Sequence, residues 1–228
     1  VARKSSFHDI EGISYRDGGG VVTNARRELI SDIDTIPIPA YEIFPMKYYR
    51  LFRMSYCKSS DFDIPMIGSR GCTFKCNFCY RMDKGYRPRS VGSIVEEIKY
   101  LQKDYDITCV TFFDELLMHS IPRMEEICNA FLKHKLNIRW DCNGRLNYAK
   151  KDILKLMYKA GCRFVNYGIE SFDDTALKNM NKALTVAQVV RGIENTLEAG
   201  ISPGFNIIFG NIGENRETLQ KGVDFLLK

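Results

Sequence analysis

Eight consecutive residues of this chain, Cys72 to Cys79, hold three thiols. The loop Gly71-Cys72-Thr73-Phe74-Lys75-Cys76-Asn77-Phe78-Cys79-Tyr80 separates them by three residues and then by two. Thiolate sulfur is a soft donor, so a short loop presenting three of them suits iron–sulfur or zinc chemistry. A structural zinc site is closed by four protein ligands, and no histidine stands in or beside this loop. Three cysteines without a fourth neighbour predict a four-iron cluster on Cys72, Cys76 and Cys79, with one iron open to a non-protein ligand. Zinc completed by a distant ligand such as His119, His134 or Cys142 is one alternative, and an accidental grouping is another. Cys57, Cys109, Cys128, Cys142 and Cys162 read as small buried residues.

The chain around this loop has 228 residues, 45% of them hydrophobic and 27% charged, enough for one sizeable core. Its formal net charge of +5 permits an anionic substrate but forms no basic stripe of the kind nucleic acid requires. The densest basic stretch, with Lys84, Arg87 and Arg89, reads as a solvated loop. No apolar run approaches the roughly eighteen residues of a membrane span. The start, Val1 to Ser6, lacks a signal-peptide core and an initiator methionine. The expectation is a cytoplasmic protein with reduced thiols, beginning partway through a longer chain.

Periodicity shows which elements must position the thiols. From Ile64 onward short apolar runs alternate with amphipathic segments, which predicts repeated strand–helix units. Strands are expected over 64–69, 107–113, 138–142, 163–167 and 201–209. Helical faces recur at Ile94, Ile98 and Leu101, at Met124, Ile127, Cys128 and Phe131, at Ile153, Leu156, Met157 and Ala160, and at Val186, Val189, Val190, Ile193 and Leu197. Ser93…Glu96 and Thr185…Gln188 fit the capping box, and Pro122 falls one turn into the second helix. Gly161 and Gly200 stand where left-handed residues end helices, and a last helix is expected over 216–227. The predicted fold is α/β, a partial TIM-like barrel of about five strand–helix units with a short N-terminal extension. Residues 1–64 read as the tail of a preceding domain, with a hairpin turning at Asp17-Gly18-Gly19-Gly20, followed by the linker Ile36-Pro37-Ile38-Pro39-Ala40. Residues 65–228 read as the barrel, truncated at its C-terminal end. Ligands in such sheets bind beyond the carboxyl ends of the strands, where the cysteine loop falls.

The spacing Cys72-x3-Cys76-x-Phe78-Cys79, directly after a first strand, resembles the signature of the radical S-adenosylmethionine superfamily. The lead-in Pro65-Met66-Ile67-Gly68-Ser69-Arg70-Gly71 is similar to the branch often fused to a cobalamin-binding domain. Phe112-Phe113-Asp114-Glu115, Trp140 with Arg145, Gly168-Ile169-Glu170-Ser171 and Phe209-Gly210 extend the resemblance across nearly the whole chain. It implies a [4Fe-4S] cluster whose open iron is chelated by S-adenosylmethionine. Reductive cleavage would give a 5′-deoxyadenosyl radical for methyl transfer, rearrangement or cyclisation of an unknown substrate, with a reductant such as flavodoxin or ferredoxin as partner. No side chain is assigned catalysis itself.

Cosubstrate contacts follow from the resemblance and from residue chemistry. Phe78 would pack near the adenine, and the backbone close to Tyr80 would meet its edge. Asp114 and Glu115 would meet the methionine ammonium, and Arg145 the methionine carboxylate. Glu170 would accept from ribose hydroxyls or the ammonium, Ser171 beside it doubles as a helix cap, and Asn206 points to the ribose. Cys142, near the barrel mouth, is a candidate for substrate contact, and Trp140 reads as core.

The sequence departs from the pattern in three places. Five units stand where the superfamily has six. Asn211-Ile212-Gly213-Glu214 replaces an apolar residue and proline before glycine. Phe7-His8-Asp9-Ile10-Glu11-Gly12 lacks the Asp-x-His-x-x-Gly motif, so cobalamin is expected only with a further N-terminal domain. An iron–sulfur electron carrier without radical chemistry and a zinc-stabilised binding module remain the competing functions.

Overall fold

The computed structural model describes residues 6–51, 54, 56–80 and 85–227; the first five residues and Lys84, which the sequence reading touched on, lie outside the described residues. The chain forms two compact units, Val1–Ile33 and Asp34–Lys228. In the first, β1 (Ser14–Asp17) and β2 (Gly20–Thr23) pair antiparallel with Asp17 opposite Gly20. Gly18 and Gly19 make the turn at φ 53° and 89°, a conformation that glycine adopts without a Cβ penalty.

The second unit runs α1 (Met46–Tyr49), β3 (Asp63–Met66), the short pair β4 (Ser69–Arg70) and β5 (Arg87–Pro88), α2 (Val91–Tyr105), β6 (Cys109–Phe112), α3 (Ile121–Lys133), β7 (Arg139–Gly144), α4 (Lys151–Lys159), β8 (Cys162–Glu170), α5 (Asp174–Asn179), α6 (Val186–Glu198), β9 (Ser202–Ile207) and α7 (Arg216–Leu226). Strands β3, β6, β7, β8 and β9 form one sheet in sequence order, each parallel to its neighbour. This is the partial barrel that the alternating pattern predicts, with five strands. Tyr41, just beyond the proline linker, belongs to the core of this unit and donates to the buried Glu97 of α2 at 2.7 Å.

Period-two alternation sorts each strand's side chains between two faces. On β8, Val165, Tyr167 and Ile169 enter the core, whereas Asn166, Gly168 and Glu170 face a cavity. On β7, Trp140 and Cys142 enter the core while Asn143 faces the cavity. Cys142 is therefore a core residue, not a group at the barrel mouth: it shares the face of Trp140, whose indole donates to the Ala160 carbonyl. Each such large apolar side chain contributes about 1.5–3 kcal/mol by leaving water.

Helix ends follow local chemistry. Thr185 and Gln188 form the expected capping box of α6. The cap of α2 is Ser90, not Ser93; the extended Arg87–Pro88 strand delivers Ser90 in β geometry, and its Oγ accepts from the Ser93 amide. Pro122 sits in the first turn of α3, just after the Ser120 cap, rather than a turn further in. Gly161 and Gly200 end their helices at φ 103° and 80°. Arg89 is not solvated: it pairs with Glu97 at 2.5 Å and donates to the Ile67 carbonyl.

Candidate functional site

At the carboxyl ends of the strands a cavity of about 360 Å³ opens. The cysteine loop forms one wall with Cys72, Phe74, Cys76, Phe78 and Cys79. Strand ends form the facing wall with Asn143, Arg145, Asn166, Gly168, Glu170 and Asn206, and Lys182 reaches in from the loop between α5 and α6.

Two devices fix the cysteine loop. At its start, the Asp114 carboxylate, 1% exposed, accepts from the Gly68 amide at 2.9 Å and from the Ser69 hydroxyl. Over its middle lies the α5–α6 loop: the Asn77 amide donates to the Met180 carbonyl at 3.1 Å, the Asn77 side chain to the Asn179 carbonyl at 2.7 Å, and the Asn181 side chain to the Lys75 carbonyl at 2.8 Å. Arg145 donates to the Lys182 carbonyl from below.

Glu170 owes its direction to backbone. The β8–β9 register shifts between Gly168 and Glu170, and Glu170 takes φ 69°. A bulge of this kind re-aims a side chain, and a left-handed non-glycine residue carries roughly 1–2 kcal/mol of strain. Its carboxylate meets Lys182 Nζ at 2.7 Å, with the two side chains only 7% and 6% exposed. The guanidinium of Arg145 lies 3.6 Å over the Phe74 ring and 3.6 Å from Cys76 Sγ. Asn166 donates to Asn143, and Asn143 to the Asp114 carbonyl, so the concave face carries a polar ladder.

The thiols fit a cluster better than a single ion. Tetrahedral zinc at about 2.3 Å from sulfur holds its ligands only about 3.8 Å apart. Among the described residues, the one trio of ligating atoms within 4.8 Å of one another is Cys57, Asp61 and Cys109. Cys72, Cys76 and Cys79 are not such a trio, yet all three line the same cavity, as the separate corners of a larger core would. Burial, then Cys76 and Cys72, push the Cys79 thiol up; a cationic metal core removes that penalty. Of the zinc-completing candidates, His134 meets Lys99 and Cys142 is buried in the core, whereas His119 stacks on Tyr86 and bonds Thr73 within the cysteine loop without lining the cavity.

Of the residues singled out in the sequence, Cys72, Cys76, Cys79, Phe78, Glu115, Arg145, Glu170 and Asn206 line this cavity together. Asp114, Ser171 and Tyr80 do not. Asp114 spends its carboxylate on the Gly68–Ser69 backbone turn. Ser171 is buried and accepts from the Asp173 amide, while Asp173 is the actual cap of α5. Tyr80 is 89% exposed, so its ring lies outside the cavity, whereas the expected contact is with the backbone close to it. Sequence reasoning missed Asn143, Asn166 and Lys182. Asn166 carried the signal that singled out Asn206, a polar residue in an apolar strand. Lys182 stands in an irregular loop with no periodicity to mark it.

The chain matches the Radical SAM superfamily over residues 66–226. It is 30% identical to an uncharacterized methyltransferase of Pyrococcus horikoshii over 231 aligned positions, covering 100% of this chain and 49% of that protein. It is also 30% identical to the anaerobic magnesium-protoporphyrin IX monomethyl ester cyclase of Rubrivivax gelatinosus, over 93% of this chain and 38% of that one. The chain thus spans about half the length of the first of these relatives and less of the second. Among solved structures, the cobalamin-dependent S-adenosylmethionine radical enzyme OxsB, with aqua-cobalamin and S-adenosylmethionine bound, superposes with a TM-score of 0.80 at 23% identity, covering 98% of this chain and 33% of that one. A loop of three thiols, set at the carboxyl end of the first strand of a five-stranded parallel partial barrel, is what this family is built on, and the chain belongs to the radical SAM superfamily.

Proposed function

We propose that the chain is the cosubstrate-cleaving core of a radical S-adenosylmethionine methyltransferase, with Cys72, Cys76 and Cys79 holding a [4Fe-4S] cluster. The observation that carries this reading is the placement of all three thiols on one cavity wall, facing a buried carboxylate, a guanidinium and an ammonium. When bound and reduced, the cluster supplies the electron that splits S-adenosylmethionine into methionine and a 5′-deoxyadenosyl radical.

The remaining work falls to the chain's own groups. Arg145, 3.6 Å from Cys76, and Lys182 set positive charge on the cavity beside the thiols, where an anionic group would be held. Glu115 and Glu170 offer carboxylates to an ammonium or to ribose hydroxyls. Phe78 provides an aromatic face at the rim. Asn143, Asn166 and Asn206 offer amides to hydroxyls on the concave side. Methyl transfer is favoured by the similarity to the Pyrococcus methyltransferase, whose match covers 100% of this chain and 49% of that protein. Cobalamin enters this reading only with a dedicated binding domain ahead of residue 1. The reductant is of the flavodoxin or ferredoxin class, and the compartment is the cytoplasm.

The test is anaerobic reconstitution with iron and sulfide, followed by dithionite and S-adenosylmethionine. The expected product is 5′-deoxyadenosine, absent from Cys76→Ala protein. A brown protein that forms none would be an electron carrier, and a colourless zinc protein would be a binding module; either overturns the proposal.

A further inference from the structure

A second group of metal-ligating atoms lies at the other end of the barrel. Cys57 Sγ, Cys109 Sγ and a carboxylate oxygen of Asp61 sit within 4.8 Å of one another. Cys109 opens β6, whereas Glu115, beyond the carboxyl end of that strand, lines the cavity, so the two groupings are separated by the strand's length. Zinc bonds of about 2.0–2.3 Å to two thiolates and one carboxylate place the donors roughly 3.3–3.8 Å apart. Asp61 and Cys109 are buried and Cys57 is half-buried, which leaves one side open to entry.

The surroundings favour a cation. Asp61 is held in place: its Oδ2 accepts from the Lys58 amide and pairs with Arg139, and its Oδ1 accepts the Thr108 hydroxyl at 3.1 Å. A carboxylate oxygen has two lone pairs, so Oδ1 retains capacity for a metal. Asp63 acts electrostatically on both thiols and on Asp141, and its Oδ1 is buried without a hydrogen-bond partner among the described residues. Asp63, with Asp141 near it, thus adds carboxylate charge beside the thiols, while Lys58, Arg139 and Arg163 line the outer groove at Asp61.

We propose that Cys57, Cys109 and Asp61 form a structural site for a zinc-class divalent cation, distinct from the cluster loop, with Asp63 or water as the fourth donor. Thiolate plus carboxylate suits a borderline-soft ion rather than magnesium or calcium. The ion would tie the segment before β3 to the start of β6.

Two measurements test this on the full chain. In protein with Cys72, Cys76 and Cys79 all replaced by Ala, anaerobic cobalt(II) titration should give one equivalent of tetrahedral cobalt–thiolate absorption, lost in Cys57→Ser or Cys109→Ser. In the cluster-loaded chain, zinc should slow iodoacetamide alkylation of Cys57 about tenfold, as a site about nine-tenths occupied leaves one tenth of its thiol free. Cys109→Ala should abolish that protection. The proposal is overturned by cobalt absorption that is absent or survives both serine variants. It is equally overturned by alkylation that zinc does not slow, or by a Cys57–Cys109 disulfide in freshly prepared anaerobic protein. Neither measurement depends on S-adenosylmethionine cleavage, so its failure is distinguishable from failure of the proposed function.

Discussion

Replacing Lys182 with Met should destabilise the chain far more than a loop substitution ordinarily does. The ammonium of Lys182 lies 2.7 Å from Glu170, and both side chains are almost fully buried. Removing one member of such a pair strands the other charge, at about 3–5 kcal/mol. Both groups border a cavity that admits water, so we take the lower end, about 3 kcal/mol. At ~2–4 °C per kcal/mol for a chain of this size, Tm should fall by roughly 6–12 °C. Circular dichroism melts and urea titrations of the cluster-free, reduced chain measure this. In a double-mutant cycle, adding Glu170→Gln should restore most of the loss, because no uncompensated charge remains. A single variant within about 0.5 kcal/mol of the parent, or a double variant as unstable as the sum of the singles, would refute the reasoning.

Three further outcomes follow from the site. Burial raises Asp114 from 3.8 to about 6. A carboxyl whose native pKa exceeds its unfolded value favours the fold while protonated, so about 3 kcal/mol present below pH ~3.8 is lost as pH rises through about 6. Asp114→Asn should flatten that slope in urea titrations at pH 4 and 7, with the Asp141 share, also raised to about 6 mainly by burial, remaining; an unchanged slope contradicts the assignment. Gly168→Ala should lower Tm and weaken S-adenosylmethionine binding at least about tenfold by calorimetry, a change of about 1.4 kcal/mol; parental binding would contradict the site. A Cβ there would strike the Glu170 carboxylate and stand 2.8 Å from Lys182 Nζ, displacing both members of the buried pair. Asn181→Ala removes the 2.8 Å bond to the Lys75 carbonyl. It should speed iron loss to a chelator several-fold while far-UV circular dichroism is unchanged; parental iron retention would show that the α5–α6 loop does not hold the cysteine loop.

The strands and the cysteine loop's position after the first of them were legible because each rests on a local rule. Five apolar runs became five parallel strands, and the cysteine spacing stands in the sequence itself. Thr185 and Gln188 announced their cap in four residues. Ser90 was overlooked because its cap is set by the extended Arg87–Pro88 pairing with Ser69–Arg70, a tertiary contact invisible to a window scan. Arg89 read as solvated for the same reason: its partner Glu97 lies two turns into the next helix. The site was legible only where strand ends deliver residues. Asn206 and Glu170 could be placed there, whereas Asp114 lies at a strand end but turns inward, because two donors at Gly68 and Ser69 capture it. Cys142 shows the parity problem, since a one-residue slip in strand phase moves a side chain from cavity to core.

Mössbauer spectroscopy of protein reconstituted with isotope-enriched iron, with and without S-adenosylmethionine, tests the central claim most directly. The account predicts that adding the cosubstrate alters one iron of the four and leaves three unchanged, since three thiols hold three corners. Four irons indifferent to S-adenosylmethionine, or a cluster that persists when Cys72, Cys76 and Cys79 are replaced together, would contradict it.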